Sequence, residues 1–235
     1  TLRLFIQPYS VEIERLPSLG IHLSGEHSAK SNFLKELESE LSQDQLSPVN
    51  RRVKIIQSVF FEEDNPTLES LAEQYLVSKT SLYNDLKIIN EIIVSNGIEI
   101  ISNNDGLTSQ GAENEIQLAI KQLVTHFSNL IEEKSVNAKL YHFFEKQLVD
   151  IVSKILHKNF RELTEKVSDY YMESLLTTLL VQCRRIQMGY HVEGEDDYLF
   201  SSIRYMETFV VANDMSERLS QETVLNFSEA DKDYL

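Results

Sequence analysis

The spacing of the apolar residues changes along the segment from Pro66 to Gly111, and this change limits the structures that the segment can adopt. Leu68, Leu71 and Ala72 fall at i, i+3 and i+4, which predicts one face of a short helix. A break, "YLVSK", follows, and helical spacing then resumes for a longer stretch. The apolar stripe of this second predicted helix consists of Leu82, Leu86, Ile89 and Ile93.

The boundaries of the two predicted helices give the segment its shape. Ser78 is a good N-cap for the second helix, and Gly97 is suited to a left-handed cap at its end. Two short extended pieces, "IEIIS" and "GLTSQG", then flank the polar turn "NND" and predict a hairpin. The pattern is a helix-turn-helix followed by a wing, which is suited to holding a short helix in the DNA major groove.

The first turns of the second helix are polar and lie largely off the apolar stripe. Thr80 and Asn84 are predicted to contact base edges, because a hydroxyl and an amide can reach them from the exposed face. The other residues of this region predicted to contact DNA are Ser78, Lys79, Ser81, Tyr83 and Lys87. The residues predicted to hold the DNA backbone are Arg51, Arg52, Asn103 and Asn104.

Composition limits the class of protein. The chain has 235 residues, 42% of them hydrophobic, with only seven glycines and four prolines, which favours mostly helix around a sizeable core. No apolar run approaches the ~20 residues of a membrane span, and the first residues lack the basic-then-apolar segment of a signal peptide, so we expect none. The lone Cys183 lies in an apolar run and is predicted to be buried and reduced. We therefore expect a cytoplasmic protein.

The net charge of −15 opposes DNA binding, because phosphate contacts need Lys and Arg. Charge acts locally, however, since salt screens it within about 8–10 Å. The cluster "RRVK" from Arg51 to Lys54 and two lysines of the second helix make the motif weakly basic on an acidic body. We expect modest affinity for each copy, raised by dimerisation or by a second DNA-binding unit.

An internal repeat predicts the domain organisation. "VEIERLPSLGIHLSG" follows the plan of "IEIISNNDGLTSQG": an extended piece, a turn, a second extended piece and a glycine, each copy leading into a helical stretch. Residues 1–47 are therefore predicted to be the C-terminal remnant of a first winged helix. Residues 48–133 are predicted to form a complete second one, and residues 134–235 a helical regulation domain truncated at its C-terminal end.

The last region is predicted to be a bundle of four helices. The first covers "KLYHFFEKQLVDIVSKILHKNF", and the second, apolar on several sides and hence central, ends at Gly189. The third covers "YLFSSIRYMETFVVANDMSERL", and the fourth starts after the N-cap Ser228. Because the chain stops inside the fourth helix, we expect the natural protein to continue. The predicted fold is mainly α, with small β wings beside an all-α bundle.

The order of these motifs resembles the bacterial transcription regulators that carry phosphotransferase-system regulation domains, of the mannitol- and lichenan-type activators. "VSKTSLYNDLKIIN" is similar to the recognition helix of that family, "GLTSQGAENE" to its wing exit, and "SLLTTLLVQCRRIQMGYHV" to the signature helix of its regulation domain (PRD). The resemblance implies a homodimeric activator of sugar phosphotransferase-system genes. It also implies double-stranded DNA and phosphotransferase-system phosphocarrier proteins as partners.

One departure from the family concerns its phosphorylation site. The family presents a phosphoryl-accepting histidine about seven residues before the arginine that corresponds to Arg185, and here that position is Thr178. Threonine cannot form a phosphohistidine, and a second histidine would lie beyond Leu235. Either phosphorylation control is lost, as in virulence regulators of related architecture, or another histidine serves.

Other function classes compete with this interpretation. An RNA-binding antiterminator shares the regulation domain but starts with a small β-rich unit, whereas this N-terminal half is patterned as helices and wings. A protein-protein scaffold of winged helices that no longer bind DNA suits the acidic charge. An enzyme is disfavoured, because the sequence shows no phosphate loop, no nucleophile signature and no metal-ligand spacing among its histidines. No cofactor is predicted.

Overall fold

The computed structural model describes residues 8, 10–16, 20–40, 47–62, 65–103, 106–159, 168–194 and 207–235. The chain forms two compact units, residues 1–50 and residues 51–235. It is mainly helical with two small antiparallel hairpins, which confirms the predicted fold class. The domain limits at 47/48 and 133/134 stay predictions. None of the described helices has both the length and the apolar character that crossing a membrane would require.

The first unit contains a hairpin followed by a helix. Strands β1 (Glu12–Leu16) and β2 (Gly20–Ser24) pair antiparallel, and helix α1 (His27–Glu40) follows them. Val11 and Phe33 form a small buried cluster, with Leu23 and Ala29 packed against it. This is the local plan that the internal repeat predicts, and its assignment to a first winged helix stays a prediction.

The second unit begins with the helix-turn-helix and its wing. The predicted N-cap of the second helix is present: Ser78 accepts a hydrogen bond from the backbone N–H of Ser81. All four apolar residues predicted for that helix are buried, and Gly97 adopts the left-handed conformation, φ 72°, after a 3-10 turn. The elements in order are α2 (Pro48–Phe60), which enters the second unit at Arg51, α3 (Leu68–Gln74), α4 (Lys79–Ile93), β3 (Ile100–Asn103), β4 (Gly106–Ser109) and α5 (Glu113–Ser128).

The remaining helices pack around a central one. Helix α8 contacts both α5 and α7, and α9 packs on α7 and α10. Gly189 follows α8 and Ser228 caps α10, as the sequence predicts. The N-terminal part of the third predicted helix, residues 198–206, lies outside the described residues. The helices are α6 (Val136–Leu140), α7 (Lys146–Asn159), α8 (Asp169–Gln187), α9 (Glu207–Thr223) and α10 (Glu229–Tyr234).

The prediction of one continuous helix from Lys139 onward is wrong, because the chain turns between α6 and α7. The turn buries the adjacent rings of Phe143 and Phe144, which one face of a regular helix would not do. The Phe144 ring centroid lies 5.2 Å from that of Phe61, and the Phe143 carbonyl accepts a hydrogen bond of 3.1 Å from Gln57 Nε2. Contacts with α2 and the residue after it therefore override the helical periodicity.

Cys183 lies in the C-terminal half of α8 and is fully buried, as predicted. Burial raises the pKa of its thiol to about 12. The side chain is therefore neutral near pH 7 and acts as a small apolar residue in the core.

Arg185 joins α8 to the wing exit and to α2. Its Nε and Nη2 atoms donate to Glu113 Oε1 at 2.8 Å and Oε2 at 2.6 Å, a bidentate pair whose side chains are only 6% and 9% exposed. Its Nη1 donates to the Phe60 carbonyl at 3.0 Å, and its guanidinium carbon lies 3.9 Å from the centroid of the Tyr190 ring. The side chain thus fixes the start of α5 and the end of α2 relative to the central helix.

Asp85 performs a similar role between α2 and α4. Its carboxylate is buried and accepts from Arg51 Nε at 2.6 Å and from Arg52 Nε at 2.8 Å. Two successive arginines of α2 therefore bind the inner face of α4 through this carboxylate. The buried carboxylate is thus satisfied by two cationic partners, as a buried acidic group requires.

Asp231 closes the loop that follows α8. Its carboxylate accepts from the Val192 backbone N–H at 3.0 Å and lies 2.6 Å from His191 Nδ1, and its backbone carbonyl accepts from Gln182. Asp231 is fully buried on α10, and its hydrogen bonds hold this last helix against the central one.

We expect Asp85→Asn to destabilise the fold by about 3–5 kcal/mol, because it leaves two arginine charges facing a neutral amide. The free energy of unfolding in urea measures this. Asp214→Asn is the matched control, since Asp214 and Arg218 form a surface pair at 2.9 Å with side chains 51% and 45% exposed. Such i,i+4 pairs contribute only about 0.3–0.5 kcal/mol. Equal losses of stability in the two variants would show that Asp85 does not hold α2 and α4 together.

We expect Arg185→Met to cost about 3–5 kcal/mol, because it leaves the Glu113 carboxylate buried without its cation. Adding Glu113→Leu to that variant should restore most of the loss, since an apolar pair of similar volume is tolerated where an orphaned charge is not. Urea unfolding of the two single variants and the double variant measures the coupling. Additive losses in the double variant would show that the pair does not act as a unit.

Candidate nucleic-acid interface

Helix α4 presents an exposed stripe on the side away from its buried apolar face. Thr80, Tyr83, Asn84 and Lys87 follow helical spacing, and all four are exposed, Tyr83 by 57%. Leu82, Leu86, Ile89 and Ile93 are buried on the opposite side. The stripe offers a hydroxyl, a phenol, an amide and an ammonium group, which are donors and acceptors suited to base edges and phosphates.

The N-terminal turn of α4 is held by its own side chains. Ser78 Oγ accepts from the Ser81 backbone N–H at 3.1 Å, and the two hydroxyl oxygens lie 2.9 Å apart. Ser78 is exposed and Ser81 is half-buried. Both were predicted to contact DNA; in the structure their hydroxyls first fix the helix start, and DNA contact stays a prediction.

Two lysines of α4 have acidic neighbours. Lys79 Nζ lies 2.8 Å from Glu69 Oε1 of α3, with side chains 55% and 71% exposed, and Lys87 Nζ lies 3.9 Å from Glu91 Oε1. The hydrogen bond and charge of the first pair lower the pKa of Glu69 and raise the pKa of Lys79. Exposed pairs of this kind are weak and screened by salt. A DNA phosphate can therefore replace either carboxylate.

Arg51 and Arg52 have a structural partner that the sequence did not reveal. Their Nε atoms donate to the buried Asp85, and their side chains are only 11% and 19% exposed. Their predicted contact with the DNA backbone stays a prediction. Any phosphate that they bind must share them with Asp85.

The wing packs on the segment before α3. Strands β3 and β4 pair antiparallel, with Asn103 opposite Gly106, and the Leu107 N–H donates to the Pro66 carbonyl at 2.8 Å. Gly106 has φ 105°, and a Cβ there would lie 2.5 Å from the Asn65 carbonyl oxygen. Asn103 is exposed near the tip and donates to Thr108 Oγ1 at 3.4 Å. Asn104 lies outside the described residues.

Asn90 connects α4 to the wing, and sequence reasoning missed it. Its Nδ2 donates to the Ile100 carbonyl at 2.9 Å, and its Oδ1 accepts from the Ile100 N–H at 2.8 Å. The side-chain amide thus forms with Ile100 the two hydrogen bonds that the backbone of a neighbouring strand would form. It fixes the position of the wing relative to the exposed stripe of α4. The available signal was a polar residue one position after buried Ile89 and one helical turn from buried Leu86.

The two positions that the family resemblance marked as regulatory lie on α8. Thr178 is half-buried, its Oγ1 donates to the Ser174 carbonyl at 2.9 Å, and it lines a cavity of about 290 Å³. Arg185 is buried in its pair with Glu113. Neither observation tests a regulatory role.

Part of the chain matches a known protein family. Residues 30–124 match a family described as the Mga helix-turn-helix domain, a stretch that runs from α1 through the wing into α5. No curated protein shows a significant match to the chain. The matched segment contains α4, its exposed stripe and the wing. The chain therefore carries the DNA-binding helix-turn-helix domain of a transcription regulator.

Proposed function

We propose that α4 lies in the DNA major groove and that its exposed stripe reads the sequence. Thr80 and Asn84 contact base edges, because a hydroxyl and an amide can distinguish base pairs there. The observation that carries this proposal is the stripe itself: four polar side chains at helical spacing that the fold leaves exposed. The neighbouring wing is clamped to the same helix by Asn90.

Phosphate contacts position the helix in this proposal. Lys79 and Lys87 are exposed on α4, and each has only a weak surface carboxylate to displace. Ser78, Ser81 and Tyr83 contact the sugar-phosphate backbone beside them, and Asn103 and Asn104 contact it from the wing. Arg51 and Arg52 contribute at the edge of the surface while remaining bound to Asp85. A net charge of −15 keeps the affinity of each copy modest, so the working form is a homodimer in the cytoplasm.

The regulatory part of the proposal rests on the family resemblance. The helices from α6 onward serve as a phosphotransferase-system regulation domain in an activator of sugar-uptake genes. Thr178 supplies no ring nitrogen, and its hydroxyl is bound to the Ser174 carbonyl. These two facts favour a virulence-type regulator without phosphorylation at this position over one that phosphocarriers control through it.

A protein-protein scaffold is the second candidate, favoured by the net charge and by the Lys79–Glu69 pair. Salt dependence separates the two, because phosphate contacts release counterions and weaken steeply as salt rises. An RNA-binding antiterminator is distinguished by comparing affinity for duplex DNA with affinity for an RNA hairpin.

We expect Lys87→Ala to weaken binding to every duplex and to reduce the slope of log affinity against log salt by about 1. We expect Asn84→Ala to cost about 1–3 kcal/mol on a duplex selected from a random-sequence pool and little on unselected DNA. Fluorescence anisotropy at several salt concentrations measures both effects.

Lys154→Ala is the matched control for charge, since Lys154 is an exposed lysine of α7 away from α4. It should leave both the affinity and the salt slope unchanged. Binding that is insensitive to salt, or that survives both α4 substitutions unchanged, would refute the assignment of this surface and favour the scaffold.

We expect Asn90→Ala to weaken DNA binding without removing any group of the exposed stripe, because it frees β3 from α4. Leaving the Ile100 N–H and carbonyl without this partner should cost about 1–3 kcal/mol of stability. Hydrogen exchange at the Ile100 amide should accelerate. Asn96→Ala is the control, since Asn96 follows α4 and donates to Gln122 rather than to the wing. An unchanged hydrogen-exchange rate at the Ile100 amide would show that Asn90 does not hold β3 against α4.

A further inference from the structure

A cleft separates the last helix of the winged segment from the helices that follow it. It has a volume of about 650 Å³ and is lined by residues of α5, α6 and α8, together with Asn96 and Asn129. Clefts that hold small molecules measure about 300–1,000 Å³. Its walls combine apolar side chains, Leu118, Val136 and Leu140, with charged and hydroxyl-bearing side chains.

Lys121 is the unusual group in this cleft. It is half-buried on α5, and desolvation lowers the pKa of its ammonium group. Within the described parts of the chain it forms no ion pair, although acidic residues outnumber basic ones by 37 to 22. Placing a cation at a partly dry site without a carboxylate costs stability.

A second lysine faces the same space from another helix. Lys139 of α6 is half-buried, lines the cleft, and is likewise without an ion pair among the residues that the structure describes. Glu173 and His126 also line the cleft and are exposed, and Glu173 pairs with neither lysine. Two walls of the cleft therefore each carry a lysine that has no ion pair among the described residues, with the Glu173 carboxylate as an exposed acidic neighbour.

Neutral hydrogen-bonding groups surround this charge. Ser128 Oγ is buried and has no hydrogen-bond partner among the described residues, which is costly unless something else binds it. Thr125 and Ser174 add hydroxyls to the wall, and Gln122 adds an amide that accepts from Asn96 at 3.1 Å. Such groups suit a ligand with polar substituents beyond its charge.

We propose that this cleft binds a small polar organic anion, carrying a phosphate or carboxylate group, which pairs with Lys121 and Lys139. An anion there supplies the counter-charge that the chain does not, and its polar substituents satisfy the hydroxyl and amide groups. The site is formed by side chains from three helices, and it does not depend on the surface of α4.

A neighbouring cavity of about 290 Å³ shares Lys121, Leu118 and Ser174 with the cleft. Lys139 lines only the larger cleft, whereas Thr178 lines only the smaller cavity. Substitutions at these two positions therefore distinguish the two spaces.

The test uses the full chain without DNA, in 150 mM NaCl, so that its outcome is independent of DNA binding. Inorganic phosphate, glucose 6-phosphate and citrate are titrated by calorimetry and by NMR, with glucose as the neutral probe. We expect at least one anion to bind saturably with a Kd below about 1 mM and glucose not to bind. The phosphate and carboxylate probes decide which anionic group is preferred.

Lys121→Met and Lys139→Gln should each weaken that binding by about tenfold or more, because each removes a charge-assisted contact. Thr178→Val and Lys154→Ala should leave it unchanged. Lys121→Met should also raise the urea midpoint in the absence of anion, since it removes a desolvated charge; a purely structural lysine would give the opposite sign. The proposal is overturned if none of the three anions binds, if Lys121→Met binds as the parent does, or if Thr178→Val rather than Lys139→Gln abolishes binding.

Discussion

The bidentate ion pair between Arg185 and Glu113 is the contact on which the rest of the second unit depends. Glu113 is the first residue of the helix that follows the wing, and the same guanidinium holds the carbonyl at the end of α2. One side chain of the central helix therefore sets where the wing ends and where α2 stops. Buried charges stabilise a fold only when their geometry is satisfied, so this pair penalises any other arrangement of the three helices.

Asp85 applies the same principle on the inner face of α4, the helix proposed to bind DNA. Two arginines of α2 satisfy its carboxylate while the outer face of α4 keeps its polar stripe free. In a chain with such a large acidic excess, three of its arginines are thus occupied inside the second unit. The groups left on the outer face of α4 are chiefly lysine, hydroxyl and amide, which explains why the motif is only weakly basic.

Elements set by local spacing were predictable from the sequence. The helices α3 and α4, the Ser78 cap, the left-handed Gly97 and the wing all follow from apolar period, capping and turn residues within about a dozen positions. The partners of Arg51, Arg52 and Arg185, the Asn90 clamp and the turn between α6 and α7 did not follow. Each depends on a residue far away in the chain or on another element, and periodicity carries no information about such pairs. Phe143 and Phe144 show this best, because contacts with Gln57 of α2 and with Phe61 after it outweigh a strong helical pattern.

The positions of the charged side chains also determine which residues contribute affinity and which contribute sequence specificity at the proposed interface. Arg51 and Arg52 meet phosphate only while they neutralise a buried aspartate, so their share of counterion release is small. The exposed Lys87 faces no comparable competitor, since Glu91 lies 3.9 Å away on the surface. With α4 bound to DNA as proposed, the few exposed cations of this surface bind unselected DNA weakly, and Thr80 and Asn84 supply a larger share of the energy on a correct site. Weak non-specific binding is then the reason for proposing a second copy of the helix, because pairing two modest contacts multiplies their effect without adding basic residues.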